Sequence, residues 1–444
     1  MYYAKISTKE VVMKRFLEND ILTWKKNPHK KPLIIKGVRQ CGKTFLLKEF
    51  GKKHYNDVAY FNFEGSEKLA SIFEEDLNPT RIITELSIIH NKKIIANETL
   101  LIFDEIQFCN KALSSLKYFC ENAPEYHIIC AGSLLGIALS KPLSFPVGKV
   151  DFLTLYPMNF LEFLLASGEE MLFEYVKNIE FGNAMSEIIH DKLIGLLREF
   201  YITGGMPEVV KTWHETKDIE KVEEIQQRIL DSYELDFAKH APKTDFPKLS
   251  AIWRSIPEQL AKENTKFIFS QVRKGWRAKD LEDALEWLIS AGIAYKIPKI
   301  EKPFIPLSAY ADQTFFKLYL SDVGLLRKLA KLPARFLLEK TDAYREFKGS
   351  LTENFVLTEL VTSTGEVPYY WRSQNIAEVD FVAQLWDEIV PIEVKAEQND
   401  KAKSLMEYRK RYSPKYSVKT SMKMLSGDES LKNIPLYLIG ILLK

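Results

Sequence analysis

The eight residues GVRQCGKT, Gly37 to Thr44, fit the pattern G-x-x-x-x-G-K-[ST] at every position. They stand between the apolar run PLIIK and the helical pattern TFLLKEF. A strand, a glycine turn and a helix start in that order imply a phosphate-binding loop in a parallel α/β sheet. Gly37 and Gly42 let the chain bend so that the amides of Val38, Arg39, Gln40 and Cys41 converge on phosphate oxygens, and the helix N-terminus adds its positive end. Lys43 is expected to reach the β and γ phosphates of ATP, and Thr44 to ligate Mg²⁺ through its hydroxyl.

The rest of the first third keeps that rhythm. LIIKG, VAYFNF, TLLIFDE and HIICAG read as buried strands, with amphipathic stretches such as SSLKYFCENA between them. LLIFDEIQ delivers Asp104 and Glu105 at a strand's C-terminal end, where α/β sheets bind ligands. Asp104 is expected to hold Mg²⁺ and Glu105 to polarise the attacking water. HIICAGSLLG ends its strand at Gly132 and Ser133; the place resembles the one where additional-strand P-loop ATPases carry a polar residue that senses the γ-phosphate, which makes Ser133 the candidate. Lys149, on a turn in PVGKVDF, is a candidate cationic finger toward a neighbouring subunit, though as a point charge without the planar fork of arginine.

Beyond residue 155 the strands give way to helical spacing, as in MNFLEFLLASG and EIIHDKLIGLLREFYI, interrupted by GGMP at 204–207. From residue 345 a long helical pattern, FKGSLTENFVLTELVTST, precedes the strand patterns YYWR, EVDFVAQL and IVPIEVKA, a basic helix, and a closing apolar run, IPLYLIGILLK, that reads as a buried strand. Breaks near 200 and 340 divide the 444 residues into 1–200, 201–340 and 341–444. A net charge of +2 leaves any nucleic-acid affinity to local patches. Cys41, Cys109, Cys120 and Cys130 form no CxxC pair, which speaks against zinc and disulfides and suits a reducing cytoplasm. The opening MYYAKISTKEVVMKRF lacks the apolar core of a signal peptide, and no apolar run reaches membrane-spanning length, so no membrane partner is expected.

Taken in order, GVRQCGKT, LLIFDEIQ, ICAGSLLG, LYPMNFLEFL, YITGGMPEVV, KLYLSDVGLL and ENFVLTEL with YYWR, EVDF and PIEVKA resemble the AAA-like ATPases of bacteria and archaea that join a P-loop domain to a C-terminal domain of unknown function. The resemblance spans nearly the whole chain. It implies an additional-strand P-loop NTPase sheet with a helical lid, then a helical or winged-helix-like region. Members often carry Gly-Arg where this chain has Gly148-Lys149. In the middle region Lys266, Arg273, Lys274, Arg277 and Lys279, with Trp276 among them, precede the helical DLEDALEWLISAG and suit phosphate contact with stacking.

Near the end, EVDFVAQLWDEIVPIEVKA reads as two strands joined by an acidic turn. Residues two apart on a strand share a face, so Glu393 and Lys395 point the same way, and an even turn brings Asp380 to that face opposite Lys395. Glu353, on the preceding helix, completes the set. Grouped carboxylates repel unless a cation lies between them, and Mg²⁺ or Mn²⁺ meets that need. Glu353, Asp380, Glu393 and Lys395 resemble the PD-(D/E)xK nuclease core, which implies a restriction-endonuclease-like α/β domain at 341–444.

Two functional readings follow. One is an Mg²⁺-dependent ATPase coupled to binding or processing of DNA by the C-terminal domain. The other is a nucleotide-dependent switch or scaffold for protein partners, or for further copies of itself, with an inactive nuclease-like domain. A small-molecule kinase finds no acceptor-site signature, and the Asp104-Glu105 pair favours water as acceptor.

Overall fold

A computed structural model describes residues 13–133, 146–183, 185–262, 266–339, 345–373, 377–397 and 402–443. The N-terminal 1–12 and the end of the ICAGSLLG stretch, 134–136, lie outside them. The chain forms two compact units. One comprises Arg15–Tyr156 with Trp287–Ile293; the other contains Pro157–Glu286 and Ala294–Lys444.

The first unit is built on a five-stranded parallel sheet of β1 (Leu33–Lys36), β2 (Asp57–Asn62), β3 (Thr99–Asp104), β4 (His127–Ala131) and β5 (Asp151–Thr154), in the order β2-β3-β4-β1-β5. The expected strands are all present, and the reason is visible in their burial. Alternate residues serve two cores: Leu33, Ile35, Leu100, Ile102 and Ile129 belong to one, and Ile34, Leu101, Phe103, Ile128 and Cys130 to the other. A strand covered on both faces needs apolar side chains at every position, which gives the continuous runs. β5 was not expected. As an edge strand it alternates half-buried and exposed residues, Asp-Phe-Leu-Thr, and has no such run. β4 pairs with both β1 and β3, so it separates the phosphate-loop strand from the acidic one.

In the second unit helices Phe160–Ala166, Glu187–Thr203, Pro207–Thr216, Ile219–His240 and Phe246–Leu260 follow the 3.6-residue spacing of the sequence. GGMP is more than a helix breaker. Met158 N–H donates to the Gly205 carbonyl at 2.7 Å, and Gly205 N–H donates to Asp322 Oδ2 at 2.6 Å. YPMN, GGMP and SDVG, far apart in sequence, are thereby locked together.

An eight-stranded sheet runs β12-β13-β11-β10-β9-β8-β6-β7. Its strands are β6 (Ala294–Ile300), β7 (Ala311–Leu320), β8 (Tyr369–Arg372), β9 (Glu378–Leu385), β10 (Glu388–Val394), β11 (Ser417–Ser421), β12 (Ser426–Gly427) and β13 (Leu431–Pro435). The hairpin β6–β7, in the region where the resemblance implies a winged-helix-like fold, pairs through Lys299 and Ile300 with Tyr370 and Trp371 of β8. The sheet therefore crosses the expected boundary near 340. The closing apolar run is not a strand: after Pro435 it forms a 3₁₀ turn, Leu436–Leu438, and a helical turn, Ile439–Leu442. Its consecutive residues are buried all round, and periodicity cannot separate a buried strand from a buried helical segment of that length. Gly440 packs on the long helix Arg345–Thr364, where a Cβ would stand 2.8 Å from Glu359 Oε2.

Candidate functional site

The phosphate loop leaves the end of β1 and enters the helix Lys43–His54 through Gly42, whose φ of 95° lies in the left-handed region. Gly37, at φ 155°, lies against the Leu155 carbonyl, and a Cβ there would collide with it. Lys43 is buried, and its ammonium donates to the Gly37 and Val38 carbonyl oxygens at 2.8 Å each. One contact had no signature in the sequence. Arg15, buried ahead of the first helix, donates to the Cys41 carbonyl at 2.7 Å and to the Tyr156 carbonyl at 2.5 Å. It ties the loop to the segment that follows β5.

Asp104 ends β3 almost fully buried. Its Oδ2 accepts from the Thr44 hydroxyl at 2.7 Å and from the Tyr60 hydroxyl at 2.9 Å. Burial and the neighbouring Asp104 carboxylate both push the Tyr60 phenol above its ordinary range, so it stays a donor. Glu105 follows in a left-handed conformation, φ 50°. Its Oε2 accepts from Gln107 Nε2 at 2.5 Å and lies 3.4 Å from the Ser133 hydroxyl. Lys43, Thr44, Asp104, Glu105 and Ser133 thus converge where the strands of the sheet end. Lys149 does not join them. It precedes β5, at the other end of the parallel strands, and pairs with Glu121 at 2.9 Å. Thr44 hydroxyl and Asp104 carboxylate are oxygen donors of the kind Mg²⁺ takes, and their proximity fits a nucleotide-borne ion.

The second unit carries the acidic cluster. Leu385 pairs with Glu388, leaving the two-residue turn Trp386-Asp387, so the even count holds. Ile392 pairs with Phe381, which makes Glu393, rather than Lys395, the residue opposite Asp380. Asp380 Oδ2 accepts from the Val394 amide at 2.7 Å, and Lys395 donates to Glu393 Oε1 at 2.6 Å. The other Glu393 oxygen is buried without a hydrogen-bond partner. Burial, then the nearby Glu353 and Glu393 carboxylates, raise the Asp380 carboxyl well above the usual range, and burial likewise raises Glu393.

Two residues of β7 complete this cluster. The Tyr319 hydroxyl donates to Glu353 Oε2 at 2.5 Å. The Lys317 ammonium lies 2.6 Å from Glu378 Oε1 and 3.6 Å from Glu353 Oε2 while only 1% exposed. Burial alone would lower the Lys317 ammonium's pKa, but Tyr319, Glu353, Glu378 and Asp380 hold it well above the ordinary lysine value. Among the described residues, no three His, Cys, Asp or Glu side chains gather closely enough to hold a metal ion.

Of the basic residues in the middle region, Arg273, Lys274, Arg277 and Lys279 are exposed. The Arg273 guanidinium lies 5.1 Å from the Trp276 ring centre, and the Lys266 ammonium lies 3.4 Å from that of Phe315. No helix among the described residues is long and apolar enough to cross a membrane.

Residues 29–164, which carry the loop and the parallel sheet, match the family model described as AAA domain. Residues 194–335 and 348–439 match two further models, each described only as a domain of unknown function (DUF8612 and DUF4143). An uncharacterized protein of Methanocaldococcus jannaschii, MJ1544, is 32% identical over 178 residues, which is 40% of this chain and 35% of that relative. Among solved structures, the Walker-type ATPase PABY2304 of Pyrococcus abyssi overlaps 72% of this chain and 96% of its own at 14% identity and a TM-score of 0.46. AMPPCP-bound DnaA from Aquifex aeolicus overlaps 61% of this chain and 86% of its own at 16% identity and a TM-score of 0.22.

Proposed function

We propose that the chain hydrolyses ATP at the Gly37–Thr44 loop. The observation that carries this reading is the Thr44 hydroxyl resting on Asp104 at 2.7 Å beside a buried Lys43. The loop amides and the Lys43 ammonium bind the phosphates, with Thr44 and Asp104 positioned to hold Mg²⁺. That ion, when bound with ATP, neutralises charge on the phosphate oxygens. Glu105, held by Gln107 and adjacent to Ser133, orients water toward the γ-phosphate. Lys149 could serve only a neighbouring copy's nucleotide. Purified protein is expected to release phosphate from ATP in the presence of Mg²⁺. Lys43→Ala should abolish this release, and Glu105→Gln should retain ATP while turning over far more slowly. Equal slow release by wild type and Lys43→Ala would refute the reading.

Coupling to DNA binding is the second part of the proposal, and it rests on the exposed stretch Arg273–Lys279 with Trp276. Mobility shifts should weaken steeply as salt rises, and Arg273→Ala with Arg277→Ala should weaken them further. A specific observation favours the switch or scaffold reading for the C-terminal domain: the buried Lys317 among its carboxylates. Plasmid incubated with Mn²⁺ is expected to stay intact.

A further inference from the structure

We propose that the Lys317 ammonium permanently fills the cation position of the acidic cluster formed by Glu353, Glu378, Asp380 and Glu393, so that this domain is neutralised from within rather than by a divalent metal. The inference stands on the cluster alone and does not depend on ATP hydrolysis.

Lys317 enters from β7, whose last five residues, Phe316 to Leu320, are all buried. A buried ammonium without counter-charge is strongly unfavourable, so a lysine at such a position needs carboxylates around it. It has them: Glu378 at 2.6 Å and Glu353 at 3.6 Å, from β9 and from the long helix respectively. Lys395 covers Glu393 at 2.6 Å, and Arg372 approaches Glu378 at 3.8 Å. Three cations therefore already stand among four carboxylates. The individual ligands are also committed elsewhere. Glu353 accepts from Tyr319, and Asp380 is turned onto the Val394 amide. A divalent ion entering here would meet a fixed ammonium in a region of low dielectric, where like charges repel strongly. Glu393 Oε2 is buried without a hydrogen-bond partner, and it faces a cluster whose cation position Lys317 already takes.

Removing the ammonium should leave the four carboxylates, which stand too far apart for a metal while Lys317 lies among them, free to draw together on one. Mn²⁺ alone is titrated into full-length, nucleotide-free protein and followed by electron paramagnetic resonance. Wild type should show no Mn²⁺ site that depends on Glu393. Lys317→Met, which keeps the length of the side chain without its charge, should gain one Mn²⁺ per chain. Lys317→Met combined with Glu393→Gln should lose it again. Dependence on Glu393 separates this site from any ion held at Asp104. The proposal is overturned if wild type binds one Mn²⁺ that Glu393→Gln abolishes, or if folded Lys317→Met gains none. Should Lys317→Met fail to fold, the comparison of wild type with Glu393→Gln still decides.

Discussion

Gly205 and Gly195 show how differently one residue type can be used. Gly195 lies inside the helix Glu187–Thr203, where a Cβ would meet nothing. Alanine there removes backbone freedom from the unfolded chain, so Gly195→Ala should raise stability by about 0.5–1 kcal/mol in denaturant titration. Gly205 is the reverse. A Cβ would press on the Met158 carbonyl and stand 2.7 Å from its nitrogen, at the point where Met158 donates to the Gly205 carbonyl. Gly205→Ala should cost about 1–3 kcal/mol, or more if the Met158 bond is lost. The sequence shows GGMP as a break between helices, because two glycines and a proline interrupt the spacing. It does not show what the break receives, since Met158 and Asp322 lie far away along the chain. Lys317 was hidden for a related reason. A lysine in an apolar strand reads as a half-exposed residue until the strand's place in the sheet is known. Glu353, Asp380, Glu393 and Lys395 could be singled out because an acid on a helix, an acid on one strand and E-x-K on the next resemble the nuclease core, whereas the residue opposite Asp380 depended on a register only the structure shows.

Among the elements, β1 to β4 and the loop between β1 and its helix were legible because burial on both faces leaves an unbroken apolar record. β5 left no such record, and β6–β7 looked like a separate hairpin because its pairing with β8 joins residues some seventy apart. The segment before the first helix was silent as well, although it carries Arg15. That guanidinium spans the Cys41 and Tyr156 carbonyls, so it stiffens the loop from behind rather than touching the ligand surface. A charged donor lost from two buried carbonyls costs on the order of 1.5–3 kcal/mol. Arg15→Met should therefore loosen the loop and raise KM for ATP by roughly tenfold, with kcat changed less, since Glu105 and Ser133 lie on other strands. Steady-state kinetics of the two variants, Arg15→Met and Glu105→Gln, should separate: the first acts mainly on KM and the second mainly on kcat. If Arg15→Met lowers kcat while leaving KM unchanged, the bracing role is wrong.

Each of the two units has its own core, and the titratable groups buried in them respond to acid with opposite signs. In the Arg15–Tyr156 unit, His127 accepts or donates with Tyr55 at 2.8 Å, and burial first, then Lys30 and Lys25, hold its imidazole down at about 4 from an ordinary 6.5. Between those values the unfolded chain binds the proton more readily, so acidification drains stability from this unit. In the other unit Asp322 is pushed by burial up to about 6 from 3.8, although the Gly205, Leu325 and Gly324 amides act the other way. There the folded chain holds the proton more tightly between about 4 and 6, and acidification over that range adds relative stability. Asp380 and Glu393, both raised, act in the same direction. The carboxylates held below their ordinary range, such as Glu223 and Asp57, titrate under pH 5 and stay out of the comparison. Scanning calorimetry at pH 7 and pH 5 should therefore move the two unfolding transitions in opposite directions. The transition that rises with a non-hydrolysable ATP analogue and Mg²⁺ identifies the first unit. That transition should fall at pH 5, and His127→Gln should flatten its dependence. The other transition should rise, and Asp322→Asn should flatten it. Parallel movement of both transitions, unchanged by either substitution, would mean that these two buried groups do not set the pH response.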